Sequence, residues 1–294
     1  MKTHYITITL STLVFSASFV ANAKIYKRED NTCFPITQEK YEVGTKSFNT
    51  MSESDFNKVV DNVTSAMTLE IKRRLNKDLI VERKWSDSTV DAFATRDEVN
   101  NPVIVINGGL ARHPYMTKDG LALLICHEVG HHLGGAPKSF RGNSGLRSWS
   151  SAEGQADYFA TTKCLPYVFK GEAVSKNLES ESDSAEYSAA SSKCKDAICT
   201  RTVLAGLAVS KVFASLLRGS LEPSLLLNDP TSVSTTIYKH PNPQCRLDTY
   251  SSGALCDLGI EFPFDLADPK IGACLKDQGI RPSCWFNDDE FMKK

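Results

Sequence analysis

The sequence lacks any block of basic residues and any internal repeat. Its 294 residues include 34 Lys and Arg against 35 Asp and Glu, which leaves a net charge of −1 at pH 7. A balanced, interspersed charge lacks the basic footprint of nucleic-acid-binding proteins, so we expect no nucleic-acid partner. The hydrophobic fraction of 41% excludes a disordered chain, and the length suffices for a full buried core.

Downstream of the N-terminus the sequence also lacks an apolar run long enough to cross a bilayer. The longest such stretch, residues 203–217, is interrupted by Ser210, Lys211 and Ser215. We interpret it as a buried amphipathic helix, and we expect no stable membrane insertion.

Residues 1–23 have the pattern of a secretory signal peptide. A basic start is followed by a short apolar core and by small residues at the −3 and −1 positions of a cleavage site before Lys24. A membrane anchor is the alternative, but the apolar run is short and is interrupted by Thr and Ser. We predict a soluble exported protein, periplasmic or secreted, in which residues 24–294 form a single domain.

Nine cysteines stand out in a chain of this length. In an exported protein they are expected to form disulfides rather than thiolate metal clusters. Cys126 lies inside a predicted helix and is expected to be the unpaired member of the odd number. The sequence leaves the connectivity of the other eight open, and closure between neighbours suggests the pairs Cys194–Cys199, Cys245–Cys256, Cys274–Cys284 and Cys33–Cys164.

Hydrophobic periodicity predicts an α+β fold rather than alternating βαβ units. Apolar residues recur at helical spacing from Ser52, the expected N-cap, to Leu75, and a second helix is predicted from Lys118 to Leu133 with Thr117 as its cap. The other predicted elements are strands at 79–85, 89–95 and 103–106, and helices at 151–164, ending before Pro166, and 203–217.

Two segments of the chain have unusual compositions. The Ser-rich insert at 175–192 has few large apolar residues, and we interpret it as either an exposed loop or a loosely packed helix. Residues 245–294 are rich in Cys, Pro and Gly, so this tail is expected to consist of loops tied by disulfides.

The residues most indicative of a metal site form the pattern His-Glu-x-x-His at 127–131. On the predicted helix, His127 and His131 lie one turn apart on the same face, so both imidazoles can reach one metal ion. Glu128 is turned away from that pair and can reach a water on the metal without ligating it. Two neutral imidazoles suit zinc, which needs one further protein ligand and an open position for catalysis.

The third ligand distinguishes the subclasses that share this motif. The metzincin pattern continues with a third His where this chain has Pro137. The alternative is a Glu from a following helix, and the predicted helix offers Glu153 with Asp157 one turn later. We predict Glu153 as the third ligand and Asp157 as the acceptor of the outer N–H of a ligand His. Taken alone, two acids at this spacing would indicate a solvated helix face.

With these residues the sequence resembles the gluzincin metallopeptidases of family 48, which include the HtpX-type and the CAAX prenyl proteases. The specific part is His-Glu-x-x-His followed by Glu-x-x-Ala-Asp. The membrane helices of the prenyl proteases are absent, which indicates the soluble exported branch, and the Ser-rich insert and Cys-rich tail have no counterpart in the family pattern. Three further segments are similar: Asp91-Ala92-Phe93-Ala94, with Asp in place of the family's Asn, the strand at 103–110, and His240-Pro241 followed by Arg246.

Motif and resemblance together imply a zinc endopeptidase with one Zn²⁺ per chain. Glu128 would act as general base on a metal-activated water and pass the proton to the leaving amine. The resemblance implies a mainly helical zincin-type domain with a small sheet. It also implies that His240 or Arg246 stabilises the oxyanion, or that His240 occupies the open metal position in a resting state, with a plain His-Pro turn as the alternative.

The substrates implied by the resemblance are polypeptides, in particular unfolded or misassembled envelope proteins. The extended segment Asp91–Thr95 is expected to pair with substrate backbone as an added strand. Two rivals remain open: a catalytically silent, chaperone-like zinc module, which would have no need of Glu128, and a disulfide-built envelope structural protein with an incidental motif. Of the other histidines, His132 is expected to be structural and His113 to lie at the surface.

Overall fold

The computed structural model describes residues 39–44, 51–140, 145–170 and 184–291. Its helices are α1 Glu53–Leu75, α2 Gly108–Ala111, α3 Lys118–Leu133, α4 Glu153–Phe159, α5 Leu165–Lys170, α6 Ala185–Lys193, α7 Ala197–Ser215 and α8 Pro243–Ala254. Its strands are β1 Ile80–Lys84, β2 Ala92–Arg96, β3 Pro102–Asn107, β4 Lys138–Phe140 and β5 Arg147–Ser151. The predicted α+β class is confirmed, whereas the predicted signal peptide lies outside the described residues.

Helices α1 and α3 begin and end where their sequences predict. The Ser52 hydroxyl accepts a hydrogen bond from the Asp55 N–H at 3.1 Å, and the Thr117 hydroxyl accepts from the Gly120 N–H at 2.9 Å. These bonds satisfy backbone donors that the first turn of a helix leaves open. The two helices pack against each other in the main core.

A three-stranded sheet supports α3 from the other side. Strand β3 is central, pairing parallel with β1 and antiparallel with β2. All six residues of β3 are buried, which explains its uninterrupted apolar sequence. Among the described residues β2 pairs with β3 alone, so no described strand occupies its other edge. The smaller two-stranded sheet pairs β4 with β5 antiparallel, beside α3.

The helical segment after β5 runs further than predicted. Helix α4 continues through a π-helical turn, Ala160–Cys164, directly into α5. Pro166 was expected to end the helix, and this expectation is wrong: the helical segment continues through the proline to Lys170, directly after the π-helical turn.

Two other expectations concern the following helices. Residues 175–183 of the Ser-rich insert lie outside the described residues, and the described remainder of the insert forms most of α6, so a helix is the correct alternative there. Helix α7 begins earlier than expected. It is the one described helix long and apolar enough to span a membrane by length and composition, and 78% of its apolar window is buried inside the fold.

Four disulfides join the cysteines of the described residues: Cys126–Cys164, Cys194–Cys199, Cys245–Cys284 and Cys256–Cys274. The predicted Cys194–Cys199 bond is confirmed. The expectation of a free Cys126 is wrong, as are the other pairings proposed for Cys164 and for the tail, because spatial neighbours rather than sequence neighbours pair. Cys33 lies outside the described residues. Several disulfides fit an oxidising compartment.

Lys163 anchors the C-terminal loops to the core. Its ammonium donates to the carbonyl oxygens of Leu258 at 2.6 Å and Gly272 at 2.8 Å, and it lies 4.7 Å from the centre of the Phe264 ring. The residue is 1% exposed. Burial lowers its pKa to about 7 from the usual 10.5.

This lysine predicts a pH-dependent stability. Between about pH 7 and pH 10.5, Lys163 is protonated in the unfolded chain but neutral in the folded protein. The free energy of unfolding therefore rises with pH through that window. In this window the free energy of unfolding of the wild type should rise, relative to that of Lys163→Met, by up to about 1.4 kcal/mol per pH unit. Urea unfolding at pH 6.5 and pH 9 measures this, with the exposed Lys195→Met as control. An equal wild-type-to-variant difference at both pH values contradicts the prediction.

Candidate metal centre

The two motif histidines lie side by side on α3. His127 and His131 have ring centroids 4.7 Å apart at an interplanar angle of 86°, and their exposed fractions are 0% and 1%. The helical spacing therefore brings both imidazoles to one buried point, as the sequence predicts. Glu128, between them in sequence, is also fully buried.

Glu153 reaches the same point from the first turn of α4. Its two carboxylate oxygens lie 3.3 Å from His127 Nε2 and 3.7 Å from His131 Nε2. Donor atoms of the three residues all lie within 4.8 Å of one another, so the group could hold a metal ion. Among the described residues, the buried Nε2 of His131 makes no hydrogen bond. Two imidazole nitrogens and a carboxylate oxygen converging in this way fit zinc.

Behind His127 lies a buried polar network. Asp157 Oδ1 is 2.7 Å from His127 Nδ1, and the carboxylate accepts two hydrogen bonds from the Arg246 guanidinium, at 2.9 and 2.7 Å. The Tyr250 hydroxyl donates to the same carboxylate at 2.7 Å. Burial opposes ionisation of Asp157, but Arg246 and His127 hold its pKa at about 2. An ionised Asp157 favours the proton on His127 Nδ1 and leaves Nε2 free for a metal.

A backbone carbonyl orients the second histidine. His131 Nδ1 lies 3.0 Å from the Ser151 carbonyl oxygen and 2.9 Å from the Ser150 hydroxyl, at the end of β5. The carbonyl can only accept, so the Nδ1 proton points to it and Nε2 faces Glu153. Burial lowers the pKa of His131 to about 4, which keeps the ring in the neutral form that metals require.

Small residues allow the two ligand helices to approach closely. A Cβ added at Gly130 would lie 2.8 Å from the Ala156 carbonyl oxygen, and one at Gly154 would lie 2.4 Å from the Trp285 ring. The Gln155 amide donates to the Gly134 carbonyl at 2.6 Å. Because Gly130 and Gly154 lack side chains, α3 packs closely against one side of α4 and the C-terminal loops pack closely against the other side.

His240 lies at the ligand group. It belongs to an irregular segment, residues 228–242, which we call the strap. Its Nε2 is 3.2 Å from Glu153 Oε2, and the Tyr238 carbonyl accepts a hydrogen bond from the Glu153 N–H at 3.4 Å. Arg246, which shared the oxyanion hypothesis with His240, is 0% exposed and contacts the ligand group through Asp157 instead.

Side-chain and backbone contacts hold the strap beside the ligand group. The Arg147 guanidinium lies over the rings of Phe140, at 4.0 Å, and Tyr238, at 4.5 Å, and it donates to the Tyr238 hydroxyl. On the other side, backbone bonds link Val233 to Ser283 and Ile237 to Trp285. The strap thus bridges the β4–β5 sheet and the C-terminal loops, over a group whose ligands are at most 3% exposed.

Other predicted residues lie elsewhere. The His132 ring stacks on Trp149 at 4.7 Å, away from the ligands, as expected for a structural residue. His113 was expected at the surface, and this is wrong: it is 1% exposed, with Nδ1 accepting from the Tyr115 N–H and Nε2 near the Ser215 hydroxyl. A second set of potential donors, Asp229 with Cys245 and Cys284, offers no thiolates because its two sulfurs form a disulfide.

Sequence reasoning missed three contributors to the site. Ser150 and Ser151 act from a short strand that carries no motif. Tyr250 left a weak signal, because it follows Arg246 by one helical turn and so shares its face of α8.

Comparisons of the chain with protein-family models, with curated proteins and with solved structures found no match. The interpretation of the site therefore depends on its donor atoms and their surroundings, and the family resemblance stays a prediction.

Proposed function

We propose that the protein is an exported zincin-type endopeptidase in which His127, His131 and Glu153 hold one Zn²⁺ per chain. The observation that carries this proposal is the convergence of the three donors in a buried group, with Glu128 on the same turn of α3. This donor set with an adjacent acid is typical of zinc peptidases. When bound, zinc supplies Lewis-acid activation of water and of the scissile carbonyl.

Glu128 is the proposed general base. It follows His127 directly, so its side chain is turned by about 100° from that ligand around the helix axis. It is buried beside the ligand group without belonging to it. We propose that its carboxylate takes the proton of the attacking water and delivers it to the leaving amine.

The surrounding residues orient and shield the site. Asp157, held by Arg246 and Tyr250, orients His127, and the Ser151 carbonyl orients His131. His240 is the residue placed to stabilise the oxyanion, or to occupy the substrate position while the strap is closed. Arg246 acts as a positioning residue in this scheme.

The edge of β2 that no described strand occupies supports the proposal of a polypeptide substrate. An extended chain can pair with this edge through backbone hydrogen bonds, which demand little of the substrate's side chains. The ligand group is buried and His240 of the strap contacts it. We propose that substrate enters as the strap moves, and an unfolded segment can thread there more readily than a folded domain. Unfolded or misassembled envelope proteins fit both conditions, and the disulfides fit a periplasmic or secreted location.

The proposal is tested by metal analysis together with a cleavage assay. Wild-type protein prepared without chelator should carry about one zinc per chain and cleave an unfolded protein such as casein. Chelation should stop cleavage, and added zinc should restore it. The His131→Ala variant should lose both metal and activity, because two remaining ligands bind zinc poorly, while His132→Asn on the same helix should keep both.

Two outcomes would overturn the proposal. A wild-type protein that carries no zinc points to the disulfide-built structural protein. A wild-type protein with stoichiometric zinc and no cleavage of any unfolded polypeptide points to the binding module.

A further inference from the structure

The Cys126–Cys164 disulfide lies next to the ligand group. Cys126 directly precedes His127 on α3, and Cys164 ends the π-helical turn that continues from α4. One covalent bond therefore connects the helix that carries two ligands to the helical segment that carries the third, together with Asp157. Both cysteines are 0% exposed.

The bond completes a second attachment between these helices. At the C-terminal end of α3, Gly130 lies against Ala156, and Gln155 donates to the Gly134 carbonyl. Those contacts locate the start of α4, and the contact between Asp157 and His127 locates its middle. The disulfide ties the far end of the helical segment, at Cys164, back to α3, so the orientation of α4 around Glu153 is fixed along the whole segment.

The other disulfides of the described residues attach different elements. Cys194–Cys199 closes a short loop between α6 and α7, Cys245–Cys284 joins α8 to the C-terminal loops, and Cys256–Cys274 lies within the segment that follows α8. Cys126–Cys164 is the one of the four that connects the two ligand-bearing helical segments.

We propose that Cys126 and Cys164 are positioning residues for the metal site, so that zinc binds tightly only after the two thiols have been oxidised. In that step a disulfide oxidant such as oxidised glutathione accepts two electrons and leaves as two thiols. Each cysteine loses one proton, and the S–S bond forms between them. Because the bond is buried, a thiolate cannot attack it in the folded protein, and oxidation is a single maturation step. The chain thus gains its metal site after export.

Zinc affinity measured by chelator competition tests this proposal, which rests on the proposed metal site but not on peptidase activity. The Cys126→Ala/Cys164→Ala variant should bind zinc about 10- to 100-fold more weakly, the range found when groups that orient ligands are removed. The matched control, Cys194→Ala/Cys199→Ala, should bind as the wild type does. A folded variant, judged by near-UV circular dichroism, whose affinity stays within about twofold of wild type overturns the proposal.

Refolding of the wild type provides an independent measurement in case the variant does not fold. Reduced, denatured chain is refolded with zinc, with or without oxidised glutathione, and quenched samples are mapped by mass spectrometry for each disulfide. Zinc uptake that is lost in His131→Ala, refolded in parallel because free thiols also bind zinc, should follow formation of the bond between Cys126 and Cys164. Uptake of this kind that precedes the bond overturns the proposal. If the fully oxidised wild type binds no zinc, the proposed function has failed; if it binds zinc without cleaving, the proposed function fails alone.

Discussion

The Glu128→Gln variant is expected to bind zinc as the wild type does and to cleave unfolded polypeptide at least about a hundredfold more slowly. The three donors of the metal group are unchanged in this variant. The amide has nearly the shape of the carboxylate but cannot accept a proton, so the loss falls on proton transfer rather than on assembly of the site. Zinc content and the rate of casein cleavage, measured on the same preparation, check the prediction.

Glu153→Gln is the matched control for this prediction. The same chemical change at the third ligand should lower zinc affinity, and cleavage should then be partly recovered at high zinc concentration. The two variants therefore distinguish a general base, whose replacement leaves zinc binding intact, from a metal ligand, whose replacement weakens it. Cleavage by Glu128→Gln within about tenfold of wild type would show that another group moves the proton.

Replacing Arg246 by Met is expected to destabilise the fold by about 3–5 kcal/mol. Asp157 and Arg246 are both completely buried, and the guanidinium provides two of the hydrogen bonds to the carboxylate. Without it, an anion remains in the protein interior with too few donors. Urea unfolding at pH 7 measures the free energy. The difference between wild type and variant should shrink as the pH falls from about 4 to about 2, because the wild type then loses the stabilisation that the lowered pKa of Asp157 provides.

Arg201→Met is the control for this prediction, because Arg201 forms an ion pair of similar geometry at a more solvent-exposed position. Arg201 makes two 2.6 Å hydrogen bonds to Asp119, whose side chain is 30% exposed, so water can compensate for part of the loss. The double variant Arg246→Met/Asp157→Leu should recover much of the stability yet bind zinc more weakly, because His127 then lacks its acceptor. A cost for Arg246→Met no larger than for Arg201→Met would contradict the prediction.

Local signals predicted the elements that carry the motif. Helix α3 follows its N-cap Thr117 and its apolar sequence, and β3 follows its β-branched run, because both are determined by residues close in sequence. The convergence of His127, His131 and Glu153 could also be predicted, since helical spacing brings the histidines together and few acids follow on a suitable helix. The convergence of the three donors is confirmed, whereas metal binding and the identity of the metal stay predictions.

Long-range pairing could not be predicted in the same way. The local sequence predicts that Cys126 is buried in α3 without a partner. The π-helical turn instead places Cys164 beside it, and no local pattern indicates that approach. The surface assignment of His113 failed because its neighbour in space, Ser215, lies on α7, far along the chain. Such contacts depend on how whole helices pack rather than on nearby residues.

The packing of Trp285 on Gly154 also constrains the order in which the site is completed. Synthesis proceeds from the N-terminus, so α3 and α4 are made and can pair long before residue 285 arrives. Until then the residue after Glu153 has no indole against it, and Cys245 has no Cys284 to hold that indole in place. A chain that is still being synthesised thus has all three donor residues but lacks one wall of the site. The finished centre belongs only to molecules whose last loops have folded back.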